Sequence, residues 1–368
     1  MLGTPLGPAV CLVLLVVAVL SIPGGAGATS EHYANPLRSA ATGGPLSCPD
    51  PSVIEARTGG WRYYMVCTSN YQRDAFPIRE SQDLVHWKPA GYVFPAGHQP
   101  WWAVRPNGSY TGGRYWAPEI FRIQRHWVVY FAAQYNPDRV GLEIPGEGPV
   151  APGTMVIGVA RATSLSGPWH TSILHYRGQL NGVSQEPEHL GGSIDPSVVR
   201  DQRTRQLYLF WADQPTQIWA GKLSYDGLRL APQVHQVLQA GRSWECDPAT
   251  SCTVEGPEPF YHNGLFYLLY SGASTWDYTY GVGVATSADP MRDPFVKRPD
   301  PILRSGHGFV GPGHSSHPVQ GPDRRTYILF HAQLYPSHTS ANRLLMLDRF
   351  TWDGLHPRIG TGVPARGH

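Results

Sequence analysis

The sequence contains few charged residues and no marked excess of either sign. Only 15% of the residues are Asp, Glu, Lys or Arg, and the formal net charge is +2. Proteins that bind nucleic acid or an anionic membrane through their electrostatic field carry basic patches or a large positive charge. The composition therefore argues against both kinds of partner and favours a neutral ligand.

Long hydrophobic runs are absent after the N-terminus. The one apolar stretch, residues 9–22, is followed by Pro-Gly-Gly and the small-x-small sequence AGA at 26–28. This stretch is short for a membrane-spanning helix, and its pattern is typical of a secretory signal peptide. No Lys or Arg precedes it, which leaves an uncleaved N-terminal anchor as the alternative. We expect a signal peptide at 1–28 and a secreted, extracellular domain at 29–368 without membrane contact.

Cysteine is scarce, and its placement indicates disulfides. Of five cysteines, Cys11 would leave with the signal peptide, and the other four form two local pairs. An even number of cysteines in an exported chain favours the bridges Cys48–Cys67 and Cys246–Cys252. Neither pair has C-x2-C spacing, so a zinc site is not expected.

No convincing long amphipathic helix is present, whereas strand patterns recur through the chain. Five apolar, aromatic-rich runs are bounded by turn residues. They are 63–66 (YYMV), 127–131 (WVVYF), 207–211 (LYLFW), 265–270 (LFYLLY) and 326–330 (TYILF). Each follows a short opening with proline: 49–54 (PDPSVI), 117–121 (APEIF), 194–199 (IDPSVV), 255–260 (EGPEPF) and 311–314 (GPGH). Five such units predict an all-β, five-bladed β-propeller with four antiparallel strands per blade.

The openings of a propeller converge in space, because its innermost strands all begin at one end of the central channel. Three of the five openings carry an acid, namely Asp50, Asp195 and Glu255, which we expect in register around the channel. Glu258 is an alternative to Glu255, and Glu119 is expected to support blade two. Asp-Pro and Gly-Pro are also ordinary turn sequences, so each acid has a structural alternative when considered alone.

A ring of carboxyl groups suits the hydrolysis of a glycosidic bond with inversion. One carboxylate activates water and a carboxylic acid protonates the leaving oxygen, with the two groups roughly 6.5–9.5 Å apart. A third carboxyl group can raise the pKa of the acid. The aromatic faces of Trp and Tyr supply apolar surface for a sugar ring.

These openings, together with the phrase SQDLVHW at 81–87, resemble glycoside hydrolase family 43. The resemblance implies a five-bladed propeller that inverts configuration while cleaving arabinose-, xylose- or galactose-containing polysaccharides. It also implies that Asp50 is the general base, Glu255 the general acid and Asp195 the residue that orients the acid and modulates its pKa. His314 matches a histidine under the active site, and Arg343 resembles an arginine that reaches into the pocket.

Further substrate-binding candidates are Trp101, Trp116 and Trp276, with His314 and Arg343; core packing, or for Arg343 a surface salt bridge, is the alternative for each. No cofactor is required for the chemistry. A structural calcium or other metal ion in the channel, with His314 as a candidate ligand, is implied by the resemblance alone. A monomer that acts on a neutral oligo- or polysaccharide is expected.

The favoured function is a secreted inverting hydrolase of arabinose- or xylose-containing plant glycans, of α-L-arabinofuranosidase or arabinanase type. The absence of a module after the propeller favours this type over a β-xylosidase, which stays an alternative with a galactan-cleaving enzyme. A fructan- or sucrose-cleaving retaining hydrolase would need carboxyl groups only about 5–5.5 Å apart. A non-catalytic carbohydrate-binding propeller is the remaining alternative.

Overall fold

The computed structural model describes Met1, Gly3 and residues 33–56, 62–70, 72–103, 113–134, 155–176, 179–180, 183–184, 192–213, 216–246, 252–275, 278–336 and 343–367. The predicted signal peptide, apart from Met1 and Gly3, and the candidate Trp276 lie outside these residues. No helix in the described ranges is long and apolar enough to cross a membrane.

The strands form a five-bladed β-propeller, as predicted. Blade one contains β1 (Ser52–Glu55), β2 (Tyr63–Val66), β3 (Ala75–Ser81) and β4 (Lys88–Phe94). Blade two contains β5 (Tyr115–Ile123), β6 (His126–Gln134), β7 (Met155–Ala162) and β8 (His170–Ile173). Three short strands follow: β9 (His175–Tyr176), β10 (Gln179–Leu180) and β11 (Val183–Ser184).

The remaining blades repeat this antiparallel order with small additions. Blade three contains β12 (Ser193–Arg200), β13 (Leu207–Asp213), β14 (Gln217–Leu223) and β15 (Arg229–Gln239), and β9 pairs with β15 in parallel as a fifth strand. A short 3₁₀ helix, Ser243–Glu245, leads to blade four. Blade four contains β16 (Val254–His262), β17 (Leu265–Gly272), β18 (Gly281–Ser287) and β19 (Val296–Lys297). Blade five contains β20 (Phe309–Gly313), β21 (Val319–Gln320), β22 (Thr326–Leu334), β23 (Leu344–Asp353) and β24 (His356–Ile359). Four strands per blade therefore holds for most blades, with the extra pairings in blades three and five.

The second strand of every blade is one of the five apolar runs. In β17, Phe266, Leu268 and Tyr270 pack against blade three, whereas Tyr267 and Leu269 pack against blade five. Successive side chains of a strand point to opposite faces. Because both faces of each blade are covered by a neighbouring blade, these strands are apolar at nearly every position instead of alternating.

The apolar core is accordingly divided among the interfaces between blades. Its clusters lie between blades one and two, two and three, three and four, four and five, and five and one. Buried apolar area provides the main favourable free energy of folding. Each blade is thus stabilised by its two neighbours, which holds the inner strands in fixed relative positions around the channel.

The segment before blade one closes the ring against blade five. The side chain of Asn35 donates to the carbonyl of Leu347 and accepts from its backbone N–H, at 2.8 and 2.9 Å. Both predicted disulfides are formed, Cys48–Cys67 beside the first strand and Cys246–Cys252 before the fourth blade.

Candidate active site

A residue with left-handed backbone conformation lies in or next to each inner strand. We call these five residues the inner ring: Asp50, Ala117, Asp195, Gly256 and His314, with φ values between 42° and 55°. Aspartate tolerates this conformation better than most residues that have a Cβ atom. Four of the five ring residues precede a proline in the sequence, which is the signal that aligns them. The predicted convergence of the five openings therefore has a backbone basis.

Glu255 is not in register with the two aspartates, contrary to the expectation. The ring residue of blade four is Gly256, and Glu255 precedes it. A Cβ atom added at Gly256 would lie 3.0 Å from Nδ1 of His314, so this position has no room for an acidic side chain. Because Glu255 occupies the adjacent position, it has different neighbours from Asp50.

Asp50 is buried and lies beside four polar side chains, those of Arg343, His314, Thr68 and His331. Its Oδ1 is 2.5 Å from Nη1 of Arg343 and 3.3 Å from Nδ1 of His314. Its Oδ2 accepts a hydrogen bond of 2.6 Å from the hydroxyl of Thr68, and its backbone N–H donates to Nδ1 of His331 at 3.3 Å. Burial alone would raise the pKa of Asp50, but Arg343, the two histidines and Thr68 together hold this pKa below its ordinary value.

The disulfide of blade one connects the two segments that supply Asp50 and Thr68. Cys48 precedes Asp50 by two residues, and its partner Cys67 immediately precedes Thr68. The backbone N–H of Thr68 also donates to the carbonyl of Pro49 at 3.0 Å. The carboxylate and its hydroxyl donor are therefore held together covalently and by hydrogen bonds.

Glu255 has a less polar environment than Asp50. Its Oε1 accepts a hydrogen bond of 2.8 Å from the hydroxyl of Tyr280, which is 1% exposed. Burial raises the pKa of Glu255 to about 7; the bond from Tyr280 opposes this rise, and the charge of Asp50 adds to it. Glu255 is therefore protonated in a large fraction of molecules at neutral pH.

Asp195 is the third carboxyl group of the site. Its Oδ2 accepts from the backbone N–H of Gly256 at 2.9 Å and lies 4.0 Å from Nδ1 of His314. Burial and the charges of Glu255 and Asp50 raise the pKa of Asp195 above its ordinary value. The structure thus brings all three predicted carboxyl groups together, with the pKa of Asp50 lowered and those of Glu255 and Asp195 raised.

This arrangement separates an acid from a base. A carboxyl group that stays ionised can accept a proton from water, and one with a pKa near 7 can donate a proton at neutral pH. Asp50 has the first property and Glu255 the second. The site can therefore perform general acid–base chemistry on a bond held between them.

A second set of polar residues lies two positions further along the inner strands. We call it the second layer: Ser52, Glu119, Ser197, Glu258 and Ser316. The hydroxyl of Ser52 donates to Glu119 at 2.5 Å, so Glu119 is linked to blade one as well as supporting its own blade. Glu258 interacts with Ser197 and with His317, at 3.3 and 3.1 Å, and not with the residues that contact Asp50. Of the two acids in blade four, Glu255 is the one beside the ring.

The three tryptophans predicted to bind substrate do not share one environment. Trp116, next to the ring residue of blade two, is partly exposed; its indole N–H donates to the side chain of Asn70, and the Arg114 guanidinium lies 5.4 Å from its ring centroid. Trp101 is 43% exposed. Trp276 is outside the described residues.

The predicted metal site has little support in the residues around His314. The Nδ1 atom of His314 faces the carboxylates of Asp50 and Asp195, and Asp50 is already paired with Arg343. In the described part of the chain, no group of three or more His, Cys, Asp or Glu side chains is arranged to hold a metal ion. The donor set does not fit a resident metal, and the chemistry below uses none.

Four residues of the site were not predicted: Thr68, Ser271, Tyr280 and His331. Three of them lie in or just after second strands, and the fourth, Tyr280, precedes a third strand. Their partners in the site are remote in sequence, 18 residues for Thr68 with Asp50 and 25 for Tyr280 with Glu255, so no local motif marks them. The only available signal was that Thr68 follows Cys67 directly.

Comparison with known proteins gives a consistent result. The sequence model of the glycosyl hydrolases of family 43 matches residues 44–355. An extracellular exo-α-(1→5)-L-arabinofuranosidase of Streptomyces chartreusis is 27% identical over 333 residues, which cover 86% of this chain and 88% of that protein. A β-D-galactofuranosidase of Aspergillus niger is 33% identical over 307 residues, covering 82% of this chain and 78% of that protein.

The fold also matches a solved structure. A thermostable family-43 glycoside hydrolase superimposes with a TM-score of 0.69 at 24% identity, covering 91% of this chain and 98% of the other. At this identity the likeness concerns the fold. The region matched by the family model, residues 44–355, contains parts of all five blades and includes Asp50, Asp195 and Glu255.

Proposed function

The chain belongs to family 43 of the glycosyl hydrolases, and on this premise we propose that it is a secreted, inverting enzyme that releases L-arabinofuranose from plant glycans. The observation that carries the proposal is the difference in surroundings between Asp50, paired with Arg343, and Glu255, buried beside Tyr280, which lowers the pKa of the first and raises that of the second. A water molecule and a glycosidic oxygen need these two opposite functions at the same time.

In the proposed reaction, Asp50 accepts a proton from water as the water attacks the anomeric carbon. Glu255 donates its proton to the glycosidic oxygen as the bond to the leaving sugar breaks. The product sugar then has inverted configuration, with Asp50 protonated and Glu255 ionised, and proton exchange with solvent restores both groups. Arg343 holds the Asp50 carboxylate in place, and Asp195, which accepts the backbone N–H of Gly256, orients the adjacent Glu255.

The choice of sugar rests on relatives. The proteins from Streptomyces chartreusis and Aspergillus niger act, by their names, on an arabinofuranoside and a galactofuranoside. α-L-Arabinofuranose and β-D-galactofuranose share the five-membered ring and its anomeric arrangement and differ in the exocyclic side chain. We therefore place arabinofuranosides first and β-D-galactofuranosides second; xylosides are the further alternative within the family. Export is supported by the extracellular location in the name of the Streptomyces relative.

The first test measures sugar release from arabinan, arabinoxylan, xylo-oligosaccharides, a β-D-galactofuranoside and sucrose. Wild type is compared with Asp50→Asn and with Asp353→Asn, the same change at a side chain that is 61% exposed in blade five. We expect arabinose release that falls by about 10²–10⁴-fold in Asp50→Asn, the usual contribution of a general base, and is unchanged in Asp353→Asn.

Proton NMR of the first-formed anomer tests the stereochemistry. Inversion is expected. Retention would support the sucrose- or fructan-cleaving alternative. Release of galactose alone would favour β-D-galactofuranosides over arabinofuranosides as the substrate. No release from any substrate would contradict the proposal and leave a carbohydrate-binding propeller.

A further inference from the structure

The second strands present polar side chains to the backbone of the next blade. The N–H of Ala117 donates to the hydroxyl of Thr68 at 2.7 Å, and the N–H of His314 donates to the hydroxyl of Ser271 at 2.7 Å. Thr68 and Ser271 occupy equivalent positions, because each lies opposite the residue that precedes a ring residue, Pro49 or Glu255. The same backbone device therefore occurs next to both the base and the acid.

These hydrogen bonds from backbone N–H groups determine the direction in which each hydroxyl group donates its own proton. A hydroxyl has one proton to donate, and when an N–H occupies its oxygen as donor, its own proton must point elsewhere. The proton of Thr68 points to Oδ2 of Asp50, at 2.6 Å. The hydroxyl of Ser271 donates to the oxygen of Tyr280, and Tyr280 donates in turn to Oε1 of Glu255 at 2.8 Å.

The tyrosine has little freedom to leave this geometry. Its ring stacks on His331 with the centroids 5.9 Å apart and an angle of 9° between the planes. A Cβ atom at Gly313 would overlap the ring, so a glycine is needed on its other side. Since Tyr280 is 1% exposed, solvent offers its hydroxyl few alternative acceptors.

We propose that Ser271 and Tyr280 are positioning residues that fix the acid proton of Glu255 on Oε2, the oxygen that then protonates the leaving group. The reason is geometric: Oε1 already accepts the proton of Tyr280, so the single proton of a neutral Glu255 belongs on Oε2. This inference rests on the proposed function, in which Glu255 is the general acid. Thr68 has the corresponding role for Asp50, where it donates to Oδ2.

Tyr280→Phe tests this inference against a matched control, Tyr267→Phe. Tyr267 is also buried in blade four, and its hydroxyl donates to the carbonyl of Leu355 at 3.0 Å, away from the carboxyl groups. The assay compares an aryl arabinofuranoside that has a 4-nitrophenol leaving group with an unactivated arabino-oligosaccharide. A substrate with a good leaving group needs little protonation of its leaving oxygen. Its rate of hydrolysis therefore depends little on the general acid and reports on the rest of the site.

We expect Tyr280→Phe to lower kcat/KM on the oligosaccharide by about 10–100-fold, part of the 10²–10⁴-fold contribution of a general acid. The loss on the nitrophenyl substrate should be several-fold smaller, and Tyr267→Phe should affect neither. An equal loss on both substrates in Tyr280→Phe would indicate a merely structural role and overturn the inference.

The pKa of Glu255 gives a readout without substrate. It can be measured by carbon-13 NMR of labelled glutamate, with Glu255→Gln assigning the signal. The bond from Tyr280 stabilises the ionised form, so the pKa of Glu255 should rise above about 7 in Tyr280→Phe. It should rise less in Ser271→Ala, and Ser271→Thr should restore it, because the equivalent position in blade one already holds a threonine.

An unchanged pKa in both Tyr280→Phe and Ser271→Ala would overturn the inference even if the enzyme were active. If wild type hydrolysed no glycoside, the proposed function would fail, while the pKa measurement would still decide whether the hydrogen bonds act on Glu255. The two failures are therefore distinguishable.

Discussion

The inner ring and the second layer lie two residues apart along the chain, yet one carboxyl group of the ring, that of Asp50, differs from those of the second layer. In the ring, the Asp50 carboxylate is paired with Arg343, and its pKa is lowered. In the second layer, burial raises the pKa of both Glu119 and Glu258 well above the ordinary value. The propeller brings acids together at both levels, so convergence alone does not make a catalytic group.

The difference arises from the partners. Glu119 and Glu258 accept hydrogen bonds from the hydroxyls of Ser52 and Ser197, and Glu258 also contacts His317, whose side chain is 48% exposed. A hydroxyl donor stabilises a carboxylate less than an adjacent arginine does. The second layer therefore contains acids with a raised pKa that form hydrogen bonds between blades, whereas the ring contains one acid, Asp50, with a lowered pKa.

The largest expected effect separates the two acids of blade four. Glu255→Gln should lower turnover of an unactivated arabinoside by about 10²–10⁴-fold, because the proton donor is lost. Glu258→Gln keeps the hydrogen bonds to Ser197 and His317 and should stay within about 3-fold of wild type, since it lies away from the reacting groups. Steady-state kinetics on both variants measures the two losses. A larger loss of turnover in Glu258→Gln than in Glu255→Gln would assign the general acid to the second layer instead.

Removing the arginine should make the ring resemble the second layer. In Arg343→Met the burial of Asp50 is no longer opposed by its main positive partner, so the pKa of Asp50 should rise. The acidic limb of the kcat/KM profile should move to higher pH by about 1–3 units, the range typical of a carboxylate beside an arginine.

The alkaline limb of that profile belongs to Glu255, whose pKa is about 7; because Arg343 also lowers the pKa of Glu255, this limb should move to higher pH as well in Arg343→Met. Arg358→Met, which breaks an exposed ion pair with Asp353, is the control and should leave both limbs in place. An acidic limb that did not move in Arg343→Met would mean that the arginine does not control the charge of Asp50.

The smallest effect concerns stability. The pKa of Glu119 is raised from 4.5 in the folded protein, so the folded state binds this proton more tightly than the unfolded state. The stability that this proton contributes is present below pH 4.5 and is lost as the pH rises through the folded pKa. Glu119→Gln mimics the neutral acid and should raise Tm relative to wild type increasingly with pH.

A gain of about 1 kcal/mol would correspond to about 2–4 °C in a protein of moderate size. Differential scanning calorimetry between pH 4 and pH 9 measures the trend, with Glu80→Gln, a half-exposed acid paired with Arg62, as the control. A Tm difference that stayed constant with pH would show that Glu119 titrates normally.

The fold was predictable because each blade repeats one pattern. The runs that became β2, β6, β13, β17 and β22 are apolar at nearly every position, as expected for strands covered on both faces. The exceptions are local. The parallel pairing of His175 and Tyr176 with β15 depends on contact between blades two and three, and no repeat signals it.

The site was predictable only in part. The motifs named Asp50, Asp195, Glu255 and Arg343, and the structure brings these together, although their catalytic roles stay predictions. The motifs placed Glu255 in register with the aspartates, where the structure has Gly256. Tyr280 was missed because its distance from Glu255, 25 residues along the chain, says nothing about contact.

The sequence by itself determined the number of blades, the order of their strands, the disulfide pairs and the identity of the acids, because these depend on local patterns and on repetition. Only the tertiary structure decided which acid is ionised and where the hydroxyl protons point. Those properties arise from Arg343, Thr68, Ser271 and Tyr280, which reach the carboxyl groups from other strands and, for Arg343, from another blade. Charge and hydrogen-bond direction depend on distances of a few ångströms between residues that are remote in sequence, and folding alone brings them into contact.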